Sequence, residues 1–161
     1  MIKRIDRRLM QETTEKAKGS PRLRMNHNFH ELSDPVQRML NAVEPGSYIH
    51  PHRHLDPPKV ELFLVLKGRG ALFAFNDAGE VTECCLLEAG GETPGVEVPS
   101  GTWHTIVSLE EGTVFLEVKD GPYVPLTDKD FAPFAPSPED PASSAYLEEL
   151  EIRSEKEGPL K

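Results

Sequence analysis

The spacing of apolar residues along the chain changes from a helical period to a period of two. Apolar residues first recur at helical spacing between Asp6, a residue type that caps helix N-termini, and Gly19, a residue type that ends helices. This pattern predicts an N-terminal helix from about residue 7 to residue 18. Over residues 22–30 apolar and polar side chains alternate, which predicts a strand with one polar face.

A second apolar run at helical spacing follows Asp34. Asp34 and Gln37 have the spacing of a capping box. Pro35 would occupy the first position of the helix, where proline is favoured. The apolar residues of this run are Val36, Met39, Leu40 and Val43. We therefore expect a short helix that ends near residue 45.

Short apolar or alternating runs fill the chain beyond Gly46, and turn residues separate them. The predicted strands cover residues 47–54, 60–67, 71–76, 81–87, 96–98, 103–109 and 113–118. Short strands at regular spacing without a long helix predict an all-β sandwich or barrel.

The last part of the chain is rich in proline after Gly121, which excludes long regular elements there. We expect an extended segment that wraps the body, with Phe131 and Phe134 as its apolar anchors. Residues 144–152 predict a C-terminal helix, and residues 153–161 a frayed tail.

The length of 161 residues suits one structural domain. Within it we expect residues 1–45 to pack on a barrel formed by residues 46–120, and residues 121–161 to wrap around that barrel.

Charge and composition exclude several classes of protein. The net charge of −9 would repel nucleic-acid phosphates, and the chain has neither a long apolar span nor the apolar stretch of a signal peptide. We therefore expect no nucleic-acid partner, no membrane insertion and no Sec-type secretion. Cys84 and Cys85 are adjacent and too close for a normal disulfide, which favours a reduced, cytoplasmic protein.

Metal-binding residue types recur at strand spacing in the middle of the chain. His52 and His54 project to one face of a strand because side chains alternate, and Glu61 can approach them from the next strand. His104 begins a later strand with inward parity. Imidazole and carboxylate together suit Fe, Mn, Ni, Cu or Zn, whereas Ca and Mg prefer oxygen ligands. These four residues predict one bound divalent transition metal. The choice among Fe, Mn, Ni, Cu and Zn stays open.

Residues 46–68 contain Gly46, five residues, His-x-His, a loop, Glu61, six residues and Gly68. With the later Pro99, Gly101 and His104, this order resembles the two motifs of the cupin superfamily. The resemblance implies a small antiparallel cupin barrel, or jelly roll, in which His52, His54, Glu61 and His104 bind metal. Six residues separate His54 from Glu61 where cupins usually have three or four, Thr93 stands where a Gly is expected, and Ser108 replaces the terminal Asn.

More narrowly, the segments RLRMNHNFH, VQRMLNAVEPGSYIHPHRH and KDFAPFAP are similar to the WbuC-type cupin-fold metalloproteins. Members are typically placed near bacterial surface-polysaccharide genes. The resemblance therefore implies a role in surface-polysaccharide metabolism, but it implies no particular reaction.

Polar residues near the predicted metal site are candidates for catalysis or ligand binding. The candidate acid-base residues are Tyr48, His50 and Lys59, by strand parity with the metal ligands. The candidate substrate-binding residues are Arg24, Asn26, Asn28 and Arg53. Cations near a metal imply a small anionic ligand, such as a sugar acid or sugar phosphate. Each of these residues could instead be solvated or paired with a surface carboxylate.

Three functions are compatible with these features. The first is a metal-dependent enzyme, with isomerase- or epimerase-like chemistry or oxygenation of a small molecule. The others are a non-enzymatic module that senses or carries a small ligand, and a metal-free structural cupin. We also expect a homodimer in which strand 22–30 helps to close a sheet, because exposed strand edges are usually covered.

Overall fold

A computed structural model describes residues 1–156 of the chain. Within this range, two helices flank eight strands. The helices are α1 (Arg7–Lys18) and α2 (Ala142–Lys156). The strands are β1 (Arg24–Asn28), β2 (Val36–Val43), β3 (Glu61–Lys67), β4 (Arg69–Phe75), β5 (Val81–Glu88), β6 (Gly95–Val98), β7 (Trp103–Ser108) and β8 (Thr113–Asp120). No helix in residues 1–156 is long and apolar enough to cross a membrane.

The strands form two antiparallel sheets. The larger sheet has the order β1-β2-β8-β3-β6, and the smaller has the order β5-β4-β7. An apolar cluster that includes Phe63, Leu72 and Phe115 fills the space between them. The arrangement confirms the predicted all-β barrel of cupin type with flanking helices.

The outer face of each sheet is covered by a different end of the chain. Helix α1 packs on the larger sheet around Ala17 and Leu40. As predicted, Asp6 caps this helix, and its carboxylate accepts a hydrogen bond from the backbone N–H of Leu9 (2.9 Å). Helix α2 covers the smaller sheet around Phe73.

Part of the proline-rich segment also packs on the smaller sheet. The Phe134 ring packs against Phe75 (ring centroids 5.5 Å apart) and against the edge of Trp103 (5.9 Å). The predicted frayed tail begins too early, because α2 continues to Lys156, and residues 157–161 of that prediction lie outside the described residues.

The short helix predicted after Asp34 is wrong, because residues 36–43 form strand β2. This strand pairs on one side with β1 and on the other with β8, and it is largely buried. A strand buried on both faces carries apolar residues on both, so its pattern can imitate helical spacing. Asp34 does not cap a helix; its carboxylate accepts a hydrogen bond from the Arg38 guanidinium (2.7 Å).

The predicted strand 47–54 is also wrong in its extent. Only His52 pairs within that stretch, through isolated bridges to His104 and Phe131. Pro51 has no backbone N–H to donate, which limits regular pairing before His52. The alternation of side chains therefore does not continue along residues 47–54. Ile49 packs against the barrel interior, and Tyr48, which was expected on the same face as His52 and His54, packs against the cluster outside the smaller sheet.

Candidate metal site

An isolated bridge between His52 and β7 brings two histidines of the site, His52 and His104, together. The His52 backbone N–H donates to the oxygen of His104 (3.0 Å), and the His104 N–H donates to the oxygen of His52 (2.9 Å). Pro99 and Gly101 form the turn before β7, where Gly101 has a φ of +79° that glycine adopts without strain. Gly101 N–H also donates to the oxygen of His54 (3.0 Å), which fixes that residue beside the turn.

Glu61 completes the cluster from the first position of β3. Its Oε1 lies 3.2 Å from His54 Nε2, and its Oε2 lies 2.8 Å from His104 Nε2. The long loop before Glu61 folds back on itself through a bridge between Leu55 and Pro58. The extra loop residues therefore do not prevent Glu61 from reaching the histidines.

The hydrogen bonds of the histidine rings indicate which nitrogen faces the cluster. His52 Nδ1 lies 3.0 Å from the oxygen of His50, and His104 Nδ1 lies 2.9 Å from the oxygen of Thr102. A carbonyl oxygen only accepts, so each Nδ1 carries a proton, and Nε2 presents a lone pair whenever the ring is neutral. Carbonyl partners of this kind orient the ring of a metal-ligating histidine.

The buried ring nitrogens and the Glu61 carboxylate are arranged to bind a cation between them. The Nε2 atoms of His54 and His104 are buried and make no hydrogen bond of acceptable geometry with the described residues, although both lie close to Glu61. Lone pairs of imidazole and carboxylate that converge in a buried site repel unless a proton or metal lies between them. The ligand atoms of His52, His54 and Glu61 lie within 4.8 Å of one another, so these residues could hold a metal ion.

The electrostatics of the cluster favour charge states that suit metal ligands. Burial and the nearby His104 lower the pKa of His52 to about 3, so its ring is neutral. Burial alone would raise the pKa of Glu61, but the adjacent His104 and His54 rings hold it well below its usual range. Burial would lower the pKa of His104, but Glu61 raises it, so a metal here would displace a proton.

A cavity of about 360 Å³ opens in front of the cluster. Two of the predicted metal ligands, His52 and His54, line it, and Glu61 and His104 lie behind them, each about 2% exposed. The remaining lining residues are Gln37, Lys59, Lys119, Tyr123, Val124, Pro125, Leu126 and Phe131.

Sequence reasoning missed three polar residues in the barrel near this cluster: Gln37, Glu117 and Lys119. Lys119 Nζ lies 2.7 Å from Glu117 Oε1 and 3.5 Å from Glu61 Oε1. Burial would lower the pKa of Lys119, but Glu117 and Glu61 raise it, so the side chain is an ammonium ion. The alternation of Phe115, Glu117 and Lys119 on a strand could have identified two of them, whereas the incorrect helix hid Gln37.

The structure does not bring Tyr48 and His50 to the cavity. The Tyr48 hydroxyl donates to the backbone oxygen of Pro136 (2.7 Å), and burial raises the pKa of that hydroxyl. The His50 ring stacks on Phe131 (centroids 5.1 Å apart), and its Nε2 lies 3.2 Å from the oxygen of Ala132. Both side chains therefore hold the proline-rich segment against the barrel.

The candidate substrate-binding residues also lie away from the cavity. Arg24 donates to the oxygen of Tyr48 (2.9 Å), and Asn26 donates to Met39 Sδ (3.7 Å). Asn28 is exposed on the edge strand β1. The Arg53 guanidinium lies over the Trp103 ring (4.1 Å to its centroid) and 3.7 Å from the exposed carboxylate of Asp77.

Lys59 lines the cavity, but its ammonium group is bound to the backbone. Its Nζ donates to the oxygens of Asp120 and Pro122 (2.7 Å each) and so ties the start of segment 121–126 to the barrel. Lys59→Met removes both hydrogen bonds, so we expect the free energy of unfolding to fall by about 2 kcal/mol. Urea denaturation measures this loss, with exposed Lys129→Met as the matched control. Equal stability of the two variants would contradict the anchoring role.

Comparison with known proteins identifies a family and supports the fold. Residues 5–87 match the family described as "Domain of unknown function (DUF6016)", which is just over half of the chain. No curated protein matches the sequence.

Solved structures with a similar fold have low sequence identity. The capsular polysaccharide assembling protein CapF from Staphylococcus aureus is 21% identical, with a TM-score of 0.54 over 66% of this chain and 29% of CapF. KdgF from Halomonas sp. is 17% identical, with a TM-score of 0.50 over 63% of this chain and 82% of KdgF. A cupin superfamily protein from Desulfitobacterium hafniense DCB-2 is 16% identical (TM-score 0.45; 60% and 75% covered). The chain thus spans less than a third of CapF, and these similarities concern the fold alone.

Proposed function

The chain belongs to the DUF6016 family, and on that premise we propose that it is a metal-binding cupin that binds a small anionic, carbohydrate-like molecule. The observation that carries the proposal is the convergence of buried His54 Nε2 and His104 Nε2 on the Glu61 carboxylate, at the base of a lysine-lined cavity. In this proposal His52, His54, Glu61 and His104 hold one divalent transition metal, Fe, Mn, Ni, Cu or Zn. When bound, such an ion polarises an oxygen atom of the ligand.

The charges around the cavity support an anionic ligand. Glu61 and Glu117 contribute two carboxylates, and Lys59 and Lys119 contribute two ammonium groups. These four charges balance, so a divalent metal would add net positive charge to this group. A positive, partly enclosed site attracts anions. In this proposal the cations that attract the anionic ligand are Lys59 and Lys119 rather than Arg24 and Arg53.

A panel of ligands tests this charge preference. A ligand that binds only the folded state raises the apparent melting temperature. For metal-loaded protein we expect sugar acids or sugar phosphates to raise the melting temperature, and neutral sugars to leave it unchanged at matched ionic strength. Thermal-shift measurements would contradict the proposal if neutral sugars or hydrophobic molecules stabilised the protein and anions did not.

We propose further that the ligand belongs to surface-polysaccharide metabolism in the cytoplasm. The support is the WbuC-type resemblance of segments such as RLRMNHNFH, which form β1 and its flanks. The fold is shared with CapF, a capsular polysaccharide assembling protein. In the enzymatic form of this proposal, the reaction is isomerase- or epimerase-like, or oxygenase-like.

A non-enzymatic sensor or carrier is the second candidate function. The observation that favours it is that the three expected acid-base residues, Tyr48, His50 and Lys59, all bond to backbone oxygens. General acid-base catalysis requires a group within hydrogen-bond reach of the reacting atom. Product analysis by NMR after incubation of the metal-loaded protein with the best-stabilising ligand distinguishes the two: turnover indicates an enzyme, and unchanged ligand indicates a sensor.

We also propose that the chain forms a homodimer through its N-terminal strand. β1 lies at the edge of the larger sheet, where the N–H and C=O groups on its outer side can pair with another strand. We expect sedimentation velocity at micromolar concentration to give the mass of a dimer. Asn26→Pro would weaken that dimer by removing a backbone donor from the edge strand. A wild-type protein that sediments only as a monomer would exclude this arrangement.

A further inference from the structure

A row of buried polar side chains leads from the metal cluster across the larger sheet. In the strand register Glu61 of β3 is opposite Lys119 of β8, and Lys119 is opposite Gln37 of β2. Residues opposite one another in neighbouring strands project to the same face. Gln37 and Lys119 both line the cavity in front of His52 and His54.

Gln37 offers a hydrogen-bond donor that no described residue uses. The residue is 1% exposed, and its Nε2 is buried without a hydrogen-bond partner in residues 1–156. A buried donor without an acceptor is costly, and native proteins rarely keep one without a reason. An acceptor oxygen on a ligand in the cavity would satisfy this amide.

Lys119 offers a second donor on the same row. Its ammonium group has three N–H bonds and two carboxylate neighbours, Glu117 at 2.7 Å and Glu61 at 3.5 Å, so one N–H bond is left for a ligand. The side chain is 18% exposed, so it retains access to the cavity. Its Nζ lies only 3.5 Å from Glu61, a predicted metal ligand.

We infer that Gln37 and Lys119 form a carboxylate-binding subsite beside the metal cluster, and that the ligand is a small 2-hydroxy or 2-oxo carboxylic acid. The inference rests on the proposed function, since it assigns the ligand class of the same cavity. Two donors side by side suit the two oxygens of a carboxylate. Because Lys119 is close to Glu61, an oxygen on the carbon next to that carboxylate would face the metal-ligating histidines.

The other lining residues favour a carboxylate over a phosphate. No arginine from residues 1–156 lines the cavity, and Arg24 and Arg53 bind elsewhere. Arginine is the side chain best suited to phosphate, whose additional oxygens need more donors. Val124, Pro125, Leu126 and Phe131 provide an apolar wall that can cover the carbon part of the ligand.

Calorimetric titration of zinc-loaded protein tests the subsite. The acids are glycolate, glyoxylate and gluconate, and the matched neutral compounds, which carry CH2OH in place of the carboxylate, are ethylene glycol, glycolaldehyde and sorbitol. We expect the acids to bind wild type more tightly than their neutral counterparts. We expect Lys119→Met to weaken acid binding by about 10-fold to 100-fold, and Gln37→Met by about 5-fold to 10-fold. Lys119→Arg keeps the cation and should retain most of the affinity.

Zinc content is measured on every variant, because it separates the two proposals. Lys119→Met and Gln37→Met should keep the wild-type zinc content and a wild-type circular dichroism spectrum. The exposed residues of α1 supply matched controls, Lys18→Met and Gln11→Met, which should leave acid binding unchanged. The subsite alone would be overturned if the acids bound zinc-loaded wild type no better than the neutral compounds did. It would also be overturned if the acids bound Gln37→Met as tightly as wild type and lost their affinity for Lys119→Arg. Wild type that binds neither zinc nor Fe, Mn, Ni or Cu would refute the proposed function itself.

Discussion

Replacing His104 by alanine should abolish stoichiometric metal binding. The variant removes a buried imidazole whose Nε2 lies 2.8 Å from Glu61 and leaves a gap on one side of the cluster. A site that loses one of four ligands to a truncated side chain loses both affinity and geometry. We expect elemental analysis of dialysed protein to give about one metal ion per wild-type chain and a substoichiometric content for His104→Ala.

The double variant His52→Ala, His54→Ala provides the sharper test of the same site. It removes both histidines that face the cavity, so the metal content should fall to background. His27→Ala is the matched control, because His27 lies on β1, its ring packs against Phe29 (ring centroids 5.0 Å apart), and it does not line the cavity. A double variant with the wild-type metal content would show that the site is assigned to the wrong residues.

Phe115→Ala should cause a large loss of stability without touching a predicted ligand. The ring is 0% exposed and belongs to the cluster between the two sheets. It also lies against Gly70, where a Cβ atom would come within 2.6 Å of the ring. Loss of a fully buried phenylalanine removes its transfer free energy and leaves a cavity, which together cost about 3–5 kcal/mol.

Urea denaturation followed by circular dichroism measures this effect. Leu62→Ala is the matched control, because Leu62 lies on a neighbouring strand of the same sheet but is 36% exposed. We expect that control to lose less than about 1 kcal/mol. If Phe115→Ala lost no more stability than Leu62→Ala, the two sheets would not be packed around this ring.

The local elements with end signals could be predicted from the sequence. Asp6 and Gly19 bound α1 as predicted, and the strands after residue 60 lie where apolar runs alternate with turn residues. These signals act over a few residues, so the surrounding fold changes them little. Asp34 and Pro35, just before β2, are an equally clear signal for the start of a helix, but the pairing of β2 with two neighbouring strands overrode that signal.

The cavity is where sequence reasoning was least informative. Metal ligands could be proposed because His52, His54, Glu61 and His104 are chemically unusual and follow a spaced motif. Neighbouring candidates were chosen by strand parity, and parity fails where residues 47–51 leave the sheet. Lys119 and Gln37 reach the cavity only because β2, β8 and β3 pair in a particular register.

The sequence by itself determined an all-β architecture, the metal-binding residue types and the acidic character of the chain, because these follow from composition, short-range spacing and turn chemistry, and the cupin type followed from the resemblance of residues 46–68 and 99–104 to the two motifs of that superfamily. The tertiary structure alone decided that residues 36–43 are a central strand, that Tyr48 and His50 hold the proline-rich segment, and that Lys119 and Gln37 line the cavity in front of His52 and His54. Contacts between residues far apart in sequence depend on sheet register and burial, and a one-residue change of register would reverse which side chains face the barrel.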